Sequence, residues 1–157
     1  MSAPRHGHGS RHRARTGSVL LRSAALGVAA GSRASLGVAG PALSSGSSLL
    51  VRGPALAGVI GELTGDKLPG TPSRLIPPGP QSRAVAAALG GAALARRGQR
   101  RVWPAALVAA AASTVGTWGG AAWRSWAGRR GPDWRGALAE DAVAITLATL
   151  ACRGTRD

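Results

Sequence analysis

The feature that most constrains this chain is the alternation of charge-free apolar stretches with short clusters of arginine. The longest such stretch runs from Val102 to Trp123, 22 residues without an acidic or basic side chain. As an α-helix it extends about 33 Å, which matches the hydrocarbon core of a bilayer. Arginine clusters flank this stretch and recur near the N-terminus, at Arg5, Arg11, Arg13 and Arg15, at Arg96, Arg97, Arg100 and Arg101, and at Arg124, Arg129, Arg130 and Arg135. Apolar spans with basic ends are typical of membrane helices.

The strongly positive net charge is also typical of nucleic-acid-binding proteins. Lysine and arginine total 20 against six acidic residues, a formal charge of +14, and Lys67 is the only lysine. A nucleic-acid-binding face usually carries basic side chains at helical spacing among polar neighbours. Here the arginines cluster between apolar segments, so their placement favours a lipid bilayer as the partner and disfavours nucleic acid.

The apolar pattern predicts an all-α fold: a multi-pass transmembrane bundle of four to five short Ala/Gly-rich helices. The predicted helical segments are Val19–Leu43, Ala55–Leu63, Ala84–Ala95, Val102–Trp123 and Gly136–Cys152. They form one membrane domain, 19–152, preceded by a disordered basic His/Arg arm over 1–18 and followed by a short tail, 153–157. Five prolines interrupt 68–80, which we expect to be a loop because proline removes backbone donors.

Small residues recur every fourth position in two of these segments. Gly27 and Gly31 belong to such a strip in the first segment, and Gly116 and Gly120 to another in the fourth. On a helix this spacing forms one narrow face, which allows two membrane helices to pack closely. The first segment also has features of a secretory signal, although Arg22 interrupts its apolar run.

The orientation of the chain in the membrane is predicted from the number of basic residues in the successive connections between apolar segments. Five crossings with the N-terminus in the cytoplasm place the N-terminal arm, 67–83 and 124–135 inside. The same arrangement places Arg52 and the cluster 96–101 outside. If 55–65 is only a re-entrant half-helix, four crossings remain, and they place the N-terminal arm and 96–101 on the same side. The excess of basic residues inside is small in both arrangements.

Charged residues within or next to apolar segments are costly in a membrane and mark candidate sites. The predicted buried polar network comprises Arg33, Glu62, Asp66, Lys67, Arg74, Glu140 and Asp141. On a helical wheel, Glu140 and Asp141 share the side of the last segment that carries glycine and alanine, and Arg33 is their expected partner. Structural pairing, anchoring at the headgroup region and a transport-type role all remain open, because the two acids lie only four to five residues into the predicted helix.

Catalytic and metal sites find little support in the sequence. The single cysteine, Cys152, excludes an internal disulfide and a cysteine-based zinc site. All three histidines lie in the N-terminal arm, and no serine occupies a nucleophile-elbow motif. We therefore expect a protein that is not an enzyme and that carries no metal or cofactor.

Three motifs resemble those of a bacterial, actinobacterial-type family of small multi-pass membrane proteins with a domain of unknown function. The first is Gly31-Ser32-Arg33-Ala34-Ser35. The second is Gly61-Glu62 followed by Asp66 to Arg74, and the third is Pro132-Asp133-Trp134 with Ala137 to Ala144. Together they cover roughly residues 20–152 in the family's order. The resemblance implies a membrane location and no established activity.

The sequence as a whole predicts an integral protein of the inner membrane. It would act either as a small transporter or channel or as a membrane scaffold. Short, weakly apolar segments also suggest homo-oligomerisation. The alternative is a soluble, basic, Ala-rich helical module that binds nucleic acid or anionic membrane surfaces, because the mean hydropathy is only +0.06.

Overall fold

The computed structural model describes residues 8–44, 46–65 and 75–153, and over these residues it contains six α-helices and no strand. The helices are α1 (His8–Ser32), α2 (Ala34–Ser44), α3 (Leu49–Gly65), α4 (Gly79–Arg97), α5 (Val102–Gly128) and α6 (Asp133–Cys152). The all-α class is confirmed. The number of helices exceeds the predicted four to five, because the first predicted segment is divided in two.

That division lies at Arg33, where the chain reverses direction. A methyl group added at Gly40 would lie 3.2 Å from Leu26 Cδ1. In one straight helix, two residues 14 positions apart would be separated by about 21 Å. Helices α1 and α2 therefore form a hairpin whose tip is Arg33, and the predicted continuous segment Val19–Leu43 is wrong.

Prolines account for two further differences from the predicted boundaries. Pro41 lies inside α2, which ends at Ser44, one residue past the predicted end of the first segment at Leu43. Helix α4 begins at Gly79 within the predicted loop 68–80, and Pro80 occupies its first turn. A missing N–H costs little there, because the first-turn donors have no partner within the helix.

The N-terminal stretch also differs from its predicted description. Helix α1 begins at His8, within the stretch 1–18 for which the sequence predicts no regular structure. Three members of the predicted network, Asp66, Lys67 and Arg74, lie outside the described residues, as do residues 1–7.

Glycines allow α1 and α5 to pack backbone against backbone. A Cβ added at Gly27 would overlap the carbonyl oxygen of Ala109, and one at Gly116 would overlap that of Val28. Gly31 lies in the same contact, against the carbonyl of Ser113. Gly120 lies one turn further along α5. The predicted small-residue faces of the two segments therefore meet each other.

Basic side chains gather at one end of the bundle. Arg97, at the end of α4, donates hydrogen bonds to Ser44 Oγ (3.1 Å) and to the carbonyl of Pro41 (2.6 Å). A methyl group at Gly98 would lie 3.4 Å from Val19 Cγ2 in α1. The cluster 96–101 and the α2–α3 connection therefore share the end at which α1 enters the bundle. The five-crossing arrangement, which places 96–101 opposite the N-terminal arm, is wrong because α1 and α2 do not form one crossing; the four-crossing alternative places both at the same end.

Among the described helices, only α5 is both long and apolar enough to cross a bilayer. By this criterion the predicted four to five crossings reduce to one. Only 28% of the apolar window of α5 is buried inside the protein, so most of its length faces outward.

The α1–α5 contact predicts opposite effects for two neighbouring glycines. Gly116→Ala should lower the free energy of unfolding by about 1–3 kcal/mol, because the new methyl group overlaps backbone that cannot move independently. Gly119→Ala is the matched control, since no atom lies within 4 Å of an added Cβ. It should keep or raise stability, because alanine favours helix by about 1 kcal/mol. Thermal unfolding in detergent measures both, and equal melting temperatures would contradict the packing.

Candidate functional site: a buried ion-pair network at the helix break

Arg33 occupies the single non-helical position between α1 and α2 and is almost fully buried, at 1% exposure. Its Nε donates a hydrogen bond to Asp141 Oδ1 at 2.8 Å, and its Nη2 contacts the same oxygen. Asp141 lies in α6 and is buried on the inner side of that helix with Ala144 and Ala148, as the helical wheel predicts. The tip of the hairpin is thus fixed to α6 by a charge-assisted hydrogen bond.

The N-terminus of α2 is closed by a carboxylate from another helix. Glu62, in α3, accepts hydrogen bonds from the backbone N–H of Ala34 (2.8 Å) and of Ser35 (2.7 Å). The first N–H groups of any helix lack an intrahelical partner, and the helix dipole favours a negative charge there. Glu62 supplies both the acceptors and the charge.

The C-terminus of α1 is closed in the complementary way. Arg83, in α4, is 7% exposed and donates to the carbonyl oxygens of Gly31 (3.1 Å) and Ser32 (2.9 Å). Thr117 Oγ1 of α5 donates to the carbonyl of Gly31 at 3.2 Å. Arg83 Nη2 also lies 3.6 Å from Glu62 Oε1, so the two side chains that close the break form an ion pair with each other.

Glu140 extends the network towards the other end of the bundle. It is 6% exposed, and its Oε2 lies 3.9 Å from Arg124 Nη1 of α5. Arg124 also forms a two-point hydrogen bond with the more exposed Asp133, at 3.1 and 2.7 Å. Trp123 Nε1 donates to the carbonyl of Gly136 at 3.0 Å, which ties α5 to the start of α6.

The helix break lies far from both ends of α5. Thr117, which contacts the break, is 15 residues after Val102 and 11 before Gly128. These separations correspond to about 22 and 16 Å. Helix α6 starts at Asp133 rather than Gly136, so Glu140 and Asp141 lie seven and eight residues into it, about 10–12 Å from its start. They are therefore deeper in their helix than the sequence predicts.

A hollow of about 400 Å³ reaches this network from the side of the bundle. It lies between α1, α5 and α6 and is lined mainly by glycine, alanine, valine and tryptophan. Three of the lining residues have polar groups in their side chains: Ser32, Trp123 and Glu140. Of these three, only Glu140 is ionisable. The rim includes Val115 and Val143, both exposed.

Four of the seven residues predicted to form a buried network are brought into one region: Arg33, Glu62, Glu140 and Asp141. Two partners, Arg83 and Arg124, were not predicted. Arg83 shares the buried face of α4 with Ala87, Gly90, Gly91 and Leu94, at helical spacing. An arginine on a face of small residues was therefore the sequence signal that could have identified it.

The arrangement balances charge inside the protein rather than exposing it. Arg33 pairs with Asp141, Arg83 with Glu62, and Arg124 with Glu140 at the edge of the network. Buried ions persist when they are paired and hydrogen-bonded, as these are. Over the described residues, no three His, Cys, Asp or Glu side chains come together to hold a metal ion.

Comparisons with family models, with curated proteins and with solved structures return no match to this chain. The site is therefore interpreted from its own geometry.

The Arg33–Asp141 contact predicts a strong energetic coupling. Arg33→Met and Asp141→Asn should each lower the free energy of unfolding by about 3–5 kcal/mol, because each leaves a buried charge without its partner. The double variant should cost less than the sum of the two, by about 0.5–3 kcal/mol. Denaturant unfolding in detergent completes the cycle.

Asp133→Asn provides the control for that cycle, since its side chain is 63% exposed and pairs with Arg124 instead. Combined with Arg33→Met, it should be additive within about 0.5 kcal/mol. Additivity in the Arg33–Asp141 cycle itself would remove the pair as a determinant of stability.

Proposed function

We propose that this chain is a multi-pass integral protein of the inner membrane, and one observation carries the proposal: most large apolar side chains are exposed, whereas the interior consists of small residues and a few paired charges. Of the described Leu, Ile, Val and Trp residues, 22 are exposed, whereas the buried large ones are Leu26, Leu36 and Leu94. The other buried residues are alanine and glycine together with Pro41, Cys152, Ser23, Ser32, Arg33, Arg83, Ser113, Thr117, Glu140 and Asp141.

Water is a poor match for such a surface. Monomeric soluble proteins rarely expose contiguous apolar patches larger than a few hundred Å². Here apolar side chains are exposed along most helices, including Leu107, Val115 and Trp118 on α5. Close packing of small residues inside and large apolar residues outside is what hydrocarbon surroundings favour.

The distribution of arginine supports an orientation with the α1 entry end in the cytoplasm. The described arginines at that end are Arg22, Arg52, Arg96, Arg97, Arg100, Arg101 and Arg153, whereas the opposite end carries Arg124, Arg129, Arg130 and Arg135. Basic residues are retained on the cytoplasmic side of membrane proteins.

The resemblance to a family of small membrane proteins supports the same proposal, and we extend it to membership of that family. Arg33, Glu62 and Asp141 each belong to one of the three motifs. The motifs therefore supply residues that contact one another or neighbouring backbone at the helix break.

A charge placed halfway along α5 distinguishes lipid from water. Val115 is 63% exposed and lies 13 residues from either end of the helix. Val115→Lys should reduce the membrane-inserted, carbonate-resistant fraction, because a lysine at the centre of a membrane helix costs about 2.5–3.5 kcal/mol. Ser125→Lys, exposed and three residues before the helix ends, is the control and should insert like the wild type.

Two outcomes would contradict the membrane proposal. One is release of the wild type from membranes by carbonate, with monodisperse, helical protein in detergent-free buffer. The other is a Val115→Lys variant that is as stable as the wild type, since exposed substitutions in water change stability by about 0.5 kcal/mol or less.

A second candidate function, small-solute transport, is favoured by the position of the helix break. Interrupted helices at membrane depth occur where the backbone is buried or lines a water-filled cavity, and in transporters they form substrate sites. Here the hollow beside the break reaches Glu140. A carboxylate in the lining of a mostly apolar hollow suits a small cation or a proton as the transported species.

Transport predicts a specific loss in proteoliposomes. A wild-type preparation should dissipate an imposed cation or proton gradient, measured with a trapped fluorescent indicator. Glu140→Gln should remove this flux, because it removes the charge at the base of the hollow. Asp133→Asn should retain it, since Asp133 pairs with the same arginine but lies outside the hollow. Absence of flux in the wild type favours a scaffold role instead.

A further inference from the structure

A second cleft, separate from the ion-pair network, lies between α2, α3 and α6. Its volume is about 590 Å³, within the range of ligand pockets. Apolar side chains form most of its lining, among them Leu36, Leu43, Leu56, Val59 and Ile145. Leu43, Ser44, Cys152 and Arg153 line its end nearest the basic end of the bundle.

Arginines converge on that end of the cleft. Arg52 Nη2 donates to the carbonyl of Leu43 at 3.1 Å. Arg97 donates to Ser44 Oγ and to the carbonyl of Pro41, and Arg153 lines the cleft itself. The three cations therefore meet around the C-terminus of α2.

The acidic residues whose side chains the structure describes lie elsewhere. The four whose side chains the structure describes are Glu62, Asp133, Glu140 and Asp141, and all four belong to the break or to the opposite end of the bundle. The C-terminal dipole of α2 supplies about half a negative charge against at least two guanidinium groups. The arginine end of the cleft therefore keeps a net positive charge next to an apolar channel.

We propose that this cleft binds an anionic phospholipid, with its phosphate at the arginine end and an acyl chain along α2 and α6. The inference rests on the proposed membrane location. Charge complementarity selects this occupant: a phosphate matches the arginines, and a hydrocarbon chain matches the leucine, valine and isoleucine lining. The arginine end is the end assigned to the cytoplasm, where the membrane surface is negatively charged.

The test is a lipid titration of detergent-solubilised protein followed by native mass spectrometry. Dioleoyl phosphatidylglycerol is the probe, dioleoyl phosphatidylcholine the zwitterionic comparison, and inorganic phosphate the headgroup charge alone. We expect the wild type to retain phosphatidylglycerol in preference to phosphatidylcholine and to be unaffected by phosphate, because the acyl chain contributes to binding.

Two variants address the two halves of the site. Arg52→Gln combined with Arg153→Gln should weaken phosphatidylglycerol binding by about fivefold for each arginine, the factor equivalent to about 1 kcal/mol per basic residue. Thr149→Trp places a large ring in the cleft lining and should weaken binding of both lipids. Arg129→Gln combined with Arg130→Gln removes the same charge from the opposite end and should leave binding unchanged.

Several results would overturn the lipid site. Equal retention of the two lipids by the wild type would do so, as would equal loss in the two double-arginine variants or displacement of the lipid by phosphate. The melting temperature of each variant in phosphatidylcholine nanodiscs shows whether it is folded. Carbonate extraction reports on membrane insertion separately, so a chain that is inserted but shows no lipid preference would remove this inference and leave the proposed location intact.

Discussion

The constraint on which the rest of this structure depends is that backbone polar groups at a helix break need partners when they are buried. Interrupting a helix exposes carbonyl groups on one side and N–H groups on the other. Unsatisfied groups of this kind are costly away from water. The chain resolves the problem with side chains of opposite charge, because Arg83 donates to the end of α1 and Glu62 accepts from the start of α2. Arg83 and Glu62 also form an ion pair with each other. These two side chains therefore hold α3 and α4 against the hairpin.

Close backbone packing is the second requirement for such a break. The side chains of Arg33, Arg83 and Thr117 lie close together because α1 packs against α5 through glycine. A wider helix separation would move Thr117 away from the carbonyl of Gly31 and open the site to its surroundings. The small residues and the buried charges therefore depend on each other. The glycines bring the helices together, and the charged side chains make the contact specific.

The sequence was sufficient for the helical class and the inward faces of several helices. The apolar segments located α5 and α6 within a few residues, and the helical wheel placed Glu140 and Asp141 on the small-residue side of α6. The reversal at Arg33 was not predictable from local pattern, because Ser32 to Ser35 continues the periodicity on both sides of the break. Tertiary contacts end α1 at this point, because Glu62 and Arg83, whose side chains close the break, come from α3 and α4. Arg83 was missed because a single arginine near a proline-rich stretch was interpreted as part of a loop.

The hairpin also changes how the chain can be threaded through a bilayer. In the proposed membrane location, α1 and α2 would enter and return at the same end and contribute no crossing, because the α2–α3 connection lies beside the start of α5. Helices α3 to α6 then alternate in direction, which brings Arg153 back to the end where α1 begins. The four alternating helices and the hairpin therefore gather seven of the arginines whose side chains are described at one end of the bundle. The same reversal leaves the four carboxylates whose side chains are described at or beyond the hairpin tip, where arginines pair with them, and away from the C-terminus of α2. The arginines around the C-terminus of α2 therefore have no described carboxylate beside them.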